Sequence, residues 1–144
     1  MKMYTKVLSL LIVLLIGFSS CSKEKRIEKQ LIKKDGKWKI TSIDYKYYQN
    51  NELGFSENYP NAGTIEFDKK GTCVLTITLS GSPEASAGTW TNSEDNITIT
   101  ANGETTVMKI MSGPKKGKMT LEETDYYNDT AEKETYTYYL ERAD

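Results

Sequence analysis

From residue 36 to residue 142, apolar and polar residues alternate with a period of two, and turn residues break the alternation at short, regular intervals. A helix needs a period near 3.6, so this pattern excludes a helical domain and implies strands with one buried and one wet face. Strands are predicted over 37–48, 63–67, 72–79, 88–92, 96–101, 105–112, 118–126 and 132–142. The links carry turn chemistry: Asp68-Lys69-Lys70-Gly71, Ser80-Gly81-Ser82-Pro83, Asn92-Ser93-Glu94-Asp95, Asn102-Gly103 and Ser112-Gly113-Pro114. Gly and Asn supply the positive φ that tight hairpins demand, and Asn-Gly between β-rich runs is the strongest of these signals. Short strands joined by tight turns predict an all-β fold, an eight-stranded antiparallel up-and-down β-barrel, because closure removes the exposed edges of a meander. The longest loop is expected at 49–62.

Parity assigns the core: Ile65 and Phe67; Cys73, Leu75, Ile77 and Leu79; Trp90; Ile97 and Ile99; Met108 and Ile110; Met119 and Leu121; Tyr136, Tyr138 and Leu140. The first strand breaks step, with Trp38 and Ile40 on one face and Ile43, Tyr45 and Tyr47 on the other. A bulge near Thr41-Ser42 would bring both sets inward. Before it, residues 23–34 form a short helix with a stripe of Ile27, Leu31 and Ile32, ended by Asp35-Gly36. This segment either caps the barrel or serves as a tether.

The start of the chain has a different chemistry. Lys2 and Lys6 precede an apolar run over 7–17, and Phe18-Ser19-Ser20-Cys21 follows. A charged head, an apolar run and small residues before a cut site mark a secretory signal, and the run is short for a membrane span of ~20 residues. The tetrapeptide resembles the lipobox of bacterial lipoproteins, with Phe18 where that box usually carries Leu. The resemblance implies a signal peptide over 1–20, removed on export, and a lipidated Cys21. The chain then divides into 1–20, a tether and short helix over 21–35, and a barrel domain over 36–144. Ser22 follows the cysteine where an inner-membrane retention signal would place Asp, so the implied location is the outer membrane of a Gram-negative envelope. The implied membrane partner is reached through lipid on Cys21, since stable anchoring takes more than one acyl chain.

Composition narrows the chemistry. The chain has 19 basic and 20 acidic residues, and removing Lys2 and Lys6 with the signal leaves a modest acidic excess. That balance argues against nucleic acid as a partner. There is no histidine, which excludes Ser-His-Asp catalysis and histidine-based metal sites. With Cys21 lipidated, Cys73 has no disulfide partner, and its place among alternating β-formers reads as a small apolar core residue. Glu122, Glu123, Asp125, Asp129, Glu132 and Glu134 surround one hairpin without the spacing of a calcium loop, so they read as a solvated face. No enzyme, cofactor or metal is expected.

Gly36-Lys37-Trp38-Lys39-Ile40 resembles the G-x-W opening of lipocalins. Gly88-Thr89-Trp90, after the hairpin at Phe67-Asp68-Lys69-Lys70-Gly71-Thr72, resembles the lipocalin-like domains of short bacterial lipoproteins. The resemblance implies that Trp38 closes the barrel bottom against an arginine of the last strand, for which Arg142 stands in place. It also implies non-catalytic binding of a small apolar or amphipathic ligand, with Tyr45, Tyr47, Leu75, Ile77, Trp90, Met108, Met119 and Tyr138 as candidate lining. The tyrosines of the first and last strands suggest an alternative: a packed barrel without a cavity whose aromatic face meets a protein or a glycan.

Overall fold

The computed structural model describes residues 23–79, 81–127 and 131–143; the expected signal and Cys21 lie outside them. Helix α1 (residues 23–31) leads into a 3-10 turn at Lys34–Gly36. Eight strands follow: β1 (Lys37–Gln49), β2 (Glu52–Phe67), β3 (Thr72–Ile77), β4 (Glu84–Asn92), β5 (Asn96–Ala101), β6 (Glu104–Lys115), β7 (Lys118–Tyr127) and β8 (Glu132–Arg142). Each pairs antiparallel with the next, and β8 returns to β1, so the sheet closes into the up-and-down barrel that the alternation implies.

The parity break in β1 has a structural cause. Ile40 faces Leu140 while Ser42 faces Tyr139, which leaves Thr41 without a partner on β8. Its hydroxyl instead donates to the Tyr139 carbonyl at 3.0 Å. One extra residue reverses the facing of everything beyond it. Trp38 and Ile40 below the bulge and Ile43 above it are all buried, at 0%, 1% and 2% exposure.

Two glycines of the sequence motifs are required by close backbone approach. A Cβ on Gly36, whose φ is +67°, would stand 1.8 Å from the Phe67 carbonyl oxygen. One on Gly88 would stand 2.2 Å from that of Thr100. Both strand crossings demand a residue without a side chain.

Besides β4, which begins at Glu84 and not at 88, three elements differ from the sequence expectation. The predicted loop at 49–62 is a hairpin: Asn50 and Asn51, at φ 53° and 64°, make its turn, and β2 begins at Glu52. Residues 52–58 are exposed on both faces, so they lack the alternation that would have marked them as strand. Their pairing with β1 holds them. Second, β6 runs through Gly113-Pro114, with register shifts on either side of Ser112, and the turn falls at Lys116-Gly117. Pro114 is buried at this irregular end, where the missing N–H breaks no ladder. Third, Leu79 lies beyond β3 and is exposed rather than in the core.

The core fills the lower barrel, with Trp38, Phe67, Trp90, Ile97, Met119, Leu121 and Leu140 buried inside and Ile27 and Leu31 of α1 closing it. Burying a large apolar side chain contributes ~1.5–3 kcal/mol, so α1 is a fixed part of the fold and not a loose tether.

Candidate functional site

The two ends of the barrel are built differently. At the closed end the Trp38 indole N–H donates to the Leu31 carbonyl at 3.0 Å. The Arg142 guanidinium lies 4.4 Å from the centroid of that ring. It also donates to the Gln30 carbonyl at 2.6 Å and to the Lys33 carbonyl. The Gln30 carbonyl lies in the last turn of α1, where the helix has no partners of its own and its dipole is negative, and the Lys33 carbonyl, just beyond the helix, also accepts from the Gly36 amide at 3.2 Å. Burial lowers the pKa of Arg142 from its ordinary value, though a guanidinium stays charged at any physiological pH. Trp90 packs edge-on against Phe67, with centroids 5.1 Å apart. Its indole donates to the Asp68 carbonyl at 3.1 Å and pins the β2–β3 turn. Asp68 accepts from the Lys70 and Thr72 amides at 2.8 and 2.9 Å, and the amide bonds from Thr72 first hold its carboxyl below the usual range.

At the other end the walls have unequal height. Pairing of β2 with β3 stops at Gly63–Ile77, and pairing of β6 with β7 stops at Lys109–Glu122. Above those points β7, β8, β1 and β2 stand as a taller wall than β3 to β6. Between the walls lies a cavity of about 180 Å3, lined by Leu75, Ser86, Ile99, Thr106, Met108, Glu104, Glu123 and Tyr138 among others. Leu75, Ile99 and Met108 supply its apolar side, and Ser86, Asn102, Glu104 and Thr106 part of a polar side of nearly equal extent. Glu123 and Tyr138 bring polar groups, and the Tyr138 hydroxyl donates to Glu123 at 2.9 Å.

Higher on the tall wall the aromatic residues gather around one carboxylate. Glu134 accepts from Tyr136 at 2.9 Å, Tyr45 at 3.0 Å and Tyr127 at 3.3 Å. The Tyr45 ring lies 5.1 Å from that of Tyr136 and 6.0 Å from that of Phe55. Desolvation first, then the bond to Glu134 and its charge, push the Tyr45 phenol up to about 12. Desolvation and the neighbouring carboxylates raise Tyr136 and Tyr138 further in the same direction. Desolvation raises the Glu123 carboxyl against the opposing pull of the Tyr138 bond.

The lining expected from sequence is thus split over four places. Leu75, Met108 and Tyr138 meet at the cavity. Ile77 packs beside the core, and Tyr45 and Tyr47 stand half-buried on the tall wall. Trp90 and Met119 are in the packed core, with 6% and 2% exposure, and neither lines the cavity. Sequence reasoning missed Ile99, Thr106, Glu123 and Glu134. The signal for the two glutamates was present in parity: Glu123 continues the inward series Met119 and Leu121, and Glu134 precedes Tyr136, Tyr138 and Leu140 in step. Cys73 is buried, and desolvation raises its thiol above the ordinary value, which removes nucleophilic character. Among the described residues, no group of three or more Cys, Asp or Glu is arranged to hold a metal ion.

A closed antiparallel barrel with a packed floor and a cavity at its opposite end is a ligand-binding type of architecture. The sequence matches the model of the lipocalin-like domain over residues 35–121, and the chain belongs to that family. Among solved structures, it is similar to an uncharacterized protein from Bacteroides eggerthii, at 15% identity and a TM-score of 0.46, over 74% of this chain and 97% of that one. No curated protein matches it.

Proposed function

We propose that this protein binds one small apolar or amphipathic molecule in the barrel lumen, without chemistry, while lipid on Cys21 holds it in the outer membrane of a Gram-negative envelope. The observation that carries the binding reading is the cavity of about 180 Å3 above a fully packed floor. By volume it matches an enclosed apolar cavity of ~150 Å3 that accepts a benzene ring, while this one is open on one side and carries polar groups as well. The lumen therefore suits a ring-sized group rather than a long acyl chain, with the remainder of the ligand against the tall wall. Native mass spectrometry of the protein taken from envelopes tests this: a co-purifying small molecule that disappears in a Leu75→Trp variant supports it. An empty protein that also takes up no ring-sized probe refutes it. Labelling cells with an alkyne fatty acid tests the anchor, which requires incorporation in the natural chain and none in Cys21→Ala.

A second reading, an interaction module for a protein or glycan in an envelope complex, is favoured by the exposure of Leu53 and Tyr126, which lie in one row with Tyr48 on the outer side of the tall wall. Exposed apolar groups of this kind mark contact surfaces when they are contiguous. Cross-linking in intact envelopes that recovers no partner counts against it.

A further inference from the structure

We infer that the lumen selects a small organic cation, a protonated amine carried on an apolar group about the size of one ring, and rejects anionic amphiphiles. This rests on the reading that the lumen is a binding site and adds the charge of what it takes.

The argument begins with strand register. Residues paired across adjacent strands share a face of the sheet. Tyr45 pairs with Tyr136 and Glu57, and Tyr136 with Glu123. Tyr47 pairs with Glu134, and Glu134 with Asp125. Since Ile43 in the same series is buried in the barrel, this face is the inner one, and it carries carboxylates with no base among them. The lysines of these strand segments lie in the opposite series: Lys46 pairs with Thr135 and Lys133 with Tyr48 and Tyr126. The Lys133 ammonium sits 4.9 Å over the Tyr48 ring on the outer side.

Phenols, not cations, donate to Glu123 and Glu134: Tyr138 to Glu123, and Tyr45, Tyr127 and Tyr136 to Glu134. A neutral phenol supplies a hydrogen bond without cancelling the charge. The negative potential therefore remains along this wall, and it is least screened at Glu123, the carboxylate set deepest in the barrel. The upward shifts of these phenols agree with it. Glu123 stands at the junction, since its carboxylate and the apolar Leu75, Ile99 and Met108 line one cavity. An amine on a ring satisfies both halves, the ring on the apolar side chains and the ammonium at Glu123. The ring faces of Tyr45 and Tyr136 above offer a further attraction to a cation. Among the described residues the carboxylates of this wall form no group fit for a metal ion, and the apolar side chains of the cavity suit a cation that carries an apolar part.

The test titrates the purified protein at low ionic strength with benzylammonium, benzyl alcohol and benzoate, read by calorimetry and by NMR shifts at Leu75, Met108 and Tyr138. Benzylammonium is expected to bind about tenfold more tightly than the alcohol, with benzoate weakest. Glu123→Gln should bring the amine down to the affinity of the alcohol, and added salt should erode its advantage. If Glu123→Gln does not fold, Glu134→Gln is expected to reduce the amine's preference in the same direction. Equal affinity for amine and alcohol, or tighter binding of benzoate, overturns the charge selection and leaves the lumen reading standing. If none of the three moves those resonances at millimolar concentration, both fall.

Discussion

Arg142 stacks on Trp38, 4.4 Å from the ring centroid, and with the same guanidinium holds the Gln30 and Lys33 carbonyls. One side chain of β8 thus joins the first strand, the last strand and α1. Arg142→Ala is expected to destabilise the protein by about 2 kcal/mol, from the lost cation–π contact and the lost hydrogen bonds to the Gln30 and Lys33 carbonyls, the latter keeping the Gly36 amide as donor. Trp38→Phe, which keeps the ring and loses the bond to Leu31, should cost about 1 kcal/mol. Chemical denaturation of the single and double variants checks this. Losses that simply add would show that the two residues act independently.

Gly36 and Gly103 share a left-handed φ, at +67° and +82°, but only Gly36 faces backbone within 4 Å. Gly103→Ala should therefore cost about 1 kcal/mol, the ordinary penalty for that conformation. Gly36→Ala must in addition push β1 away from the Phe67 carbonyl, and its cost is expected to exceed about 3 kcal/mol. Equal melting temperatures for the two variants would contradict the close approach.

The tyrosines of the mouth make the barrel sensitive to alkali. For a phenol, a raised folded-state pKa means that the native protein keeps a proton the unfolded chain has lost. Stability then falls as pH rises above 10.0, the ordinary tyrosine value, toward the value of about 12 at Tyr45. Denaturation midpoints should decline across that window and stay level through neutral pH. Tyr45→Phe should flatten the decline. Phenolate absorbance titrating at the ordinary value in the native state would refute the assignment.

Cys73 is a packing residue. Replacing its thiol by a hydroxyl places a polar group against Phe67 and the core without a designated partner, and Cys73→Ser should lose about 1–2 kcal/mol. Cys73→Ala, smaller and apolar, should lose less. The reverse order in thermal melts would show that the site is more polar than its burial indicates.

The parts of the barrel that were legible in sequence are those where burial imposes a period. β3, β5 and β8 each pack one face, and their alternation marked them. The upper half of β2 is wet on both faces and is held by its ladder to β1, so hydrophobic pattern carried no trace of it. The bulge at Thr41 was readable because it separates two runs that must both be buried. The irregular end of β6 was hidden because Gly113-Pro114 has the composition of a turn.

What the sequence by itself determined is the eight-stranded closure, the inward parity of each strand and the glycines that the crossings require, because alternation and turn chemistry act over a few residues. Tertiary structure alone decided where the lumen ends. Trp90 and Met119 have the same parity as Leu75 and Met108, yet only the latter two reach the cavity, Met108 from within the core. Parity tells which face a side chain takes; its height in the barrel depends on the stagger of strands distant in sequence, and α1 seals one end only after those strands have met.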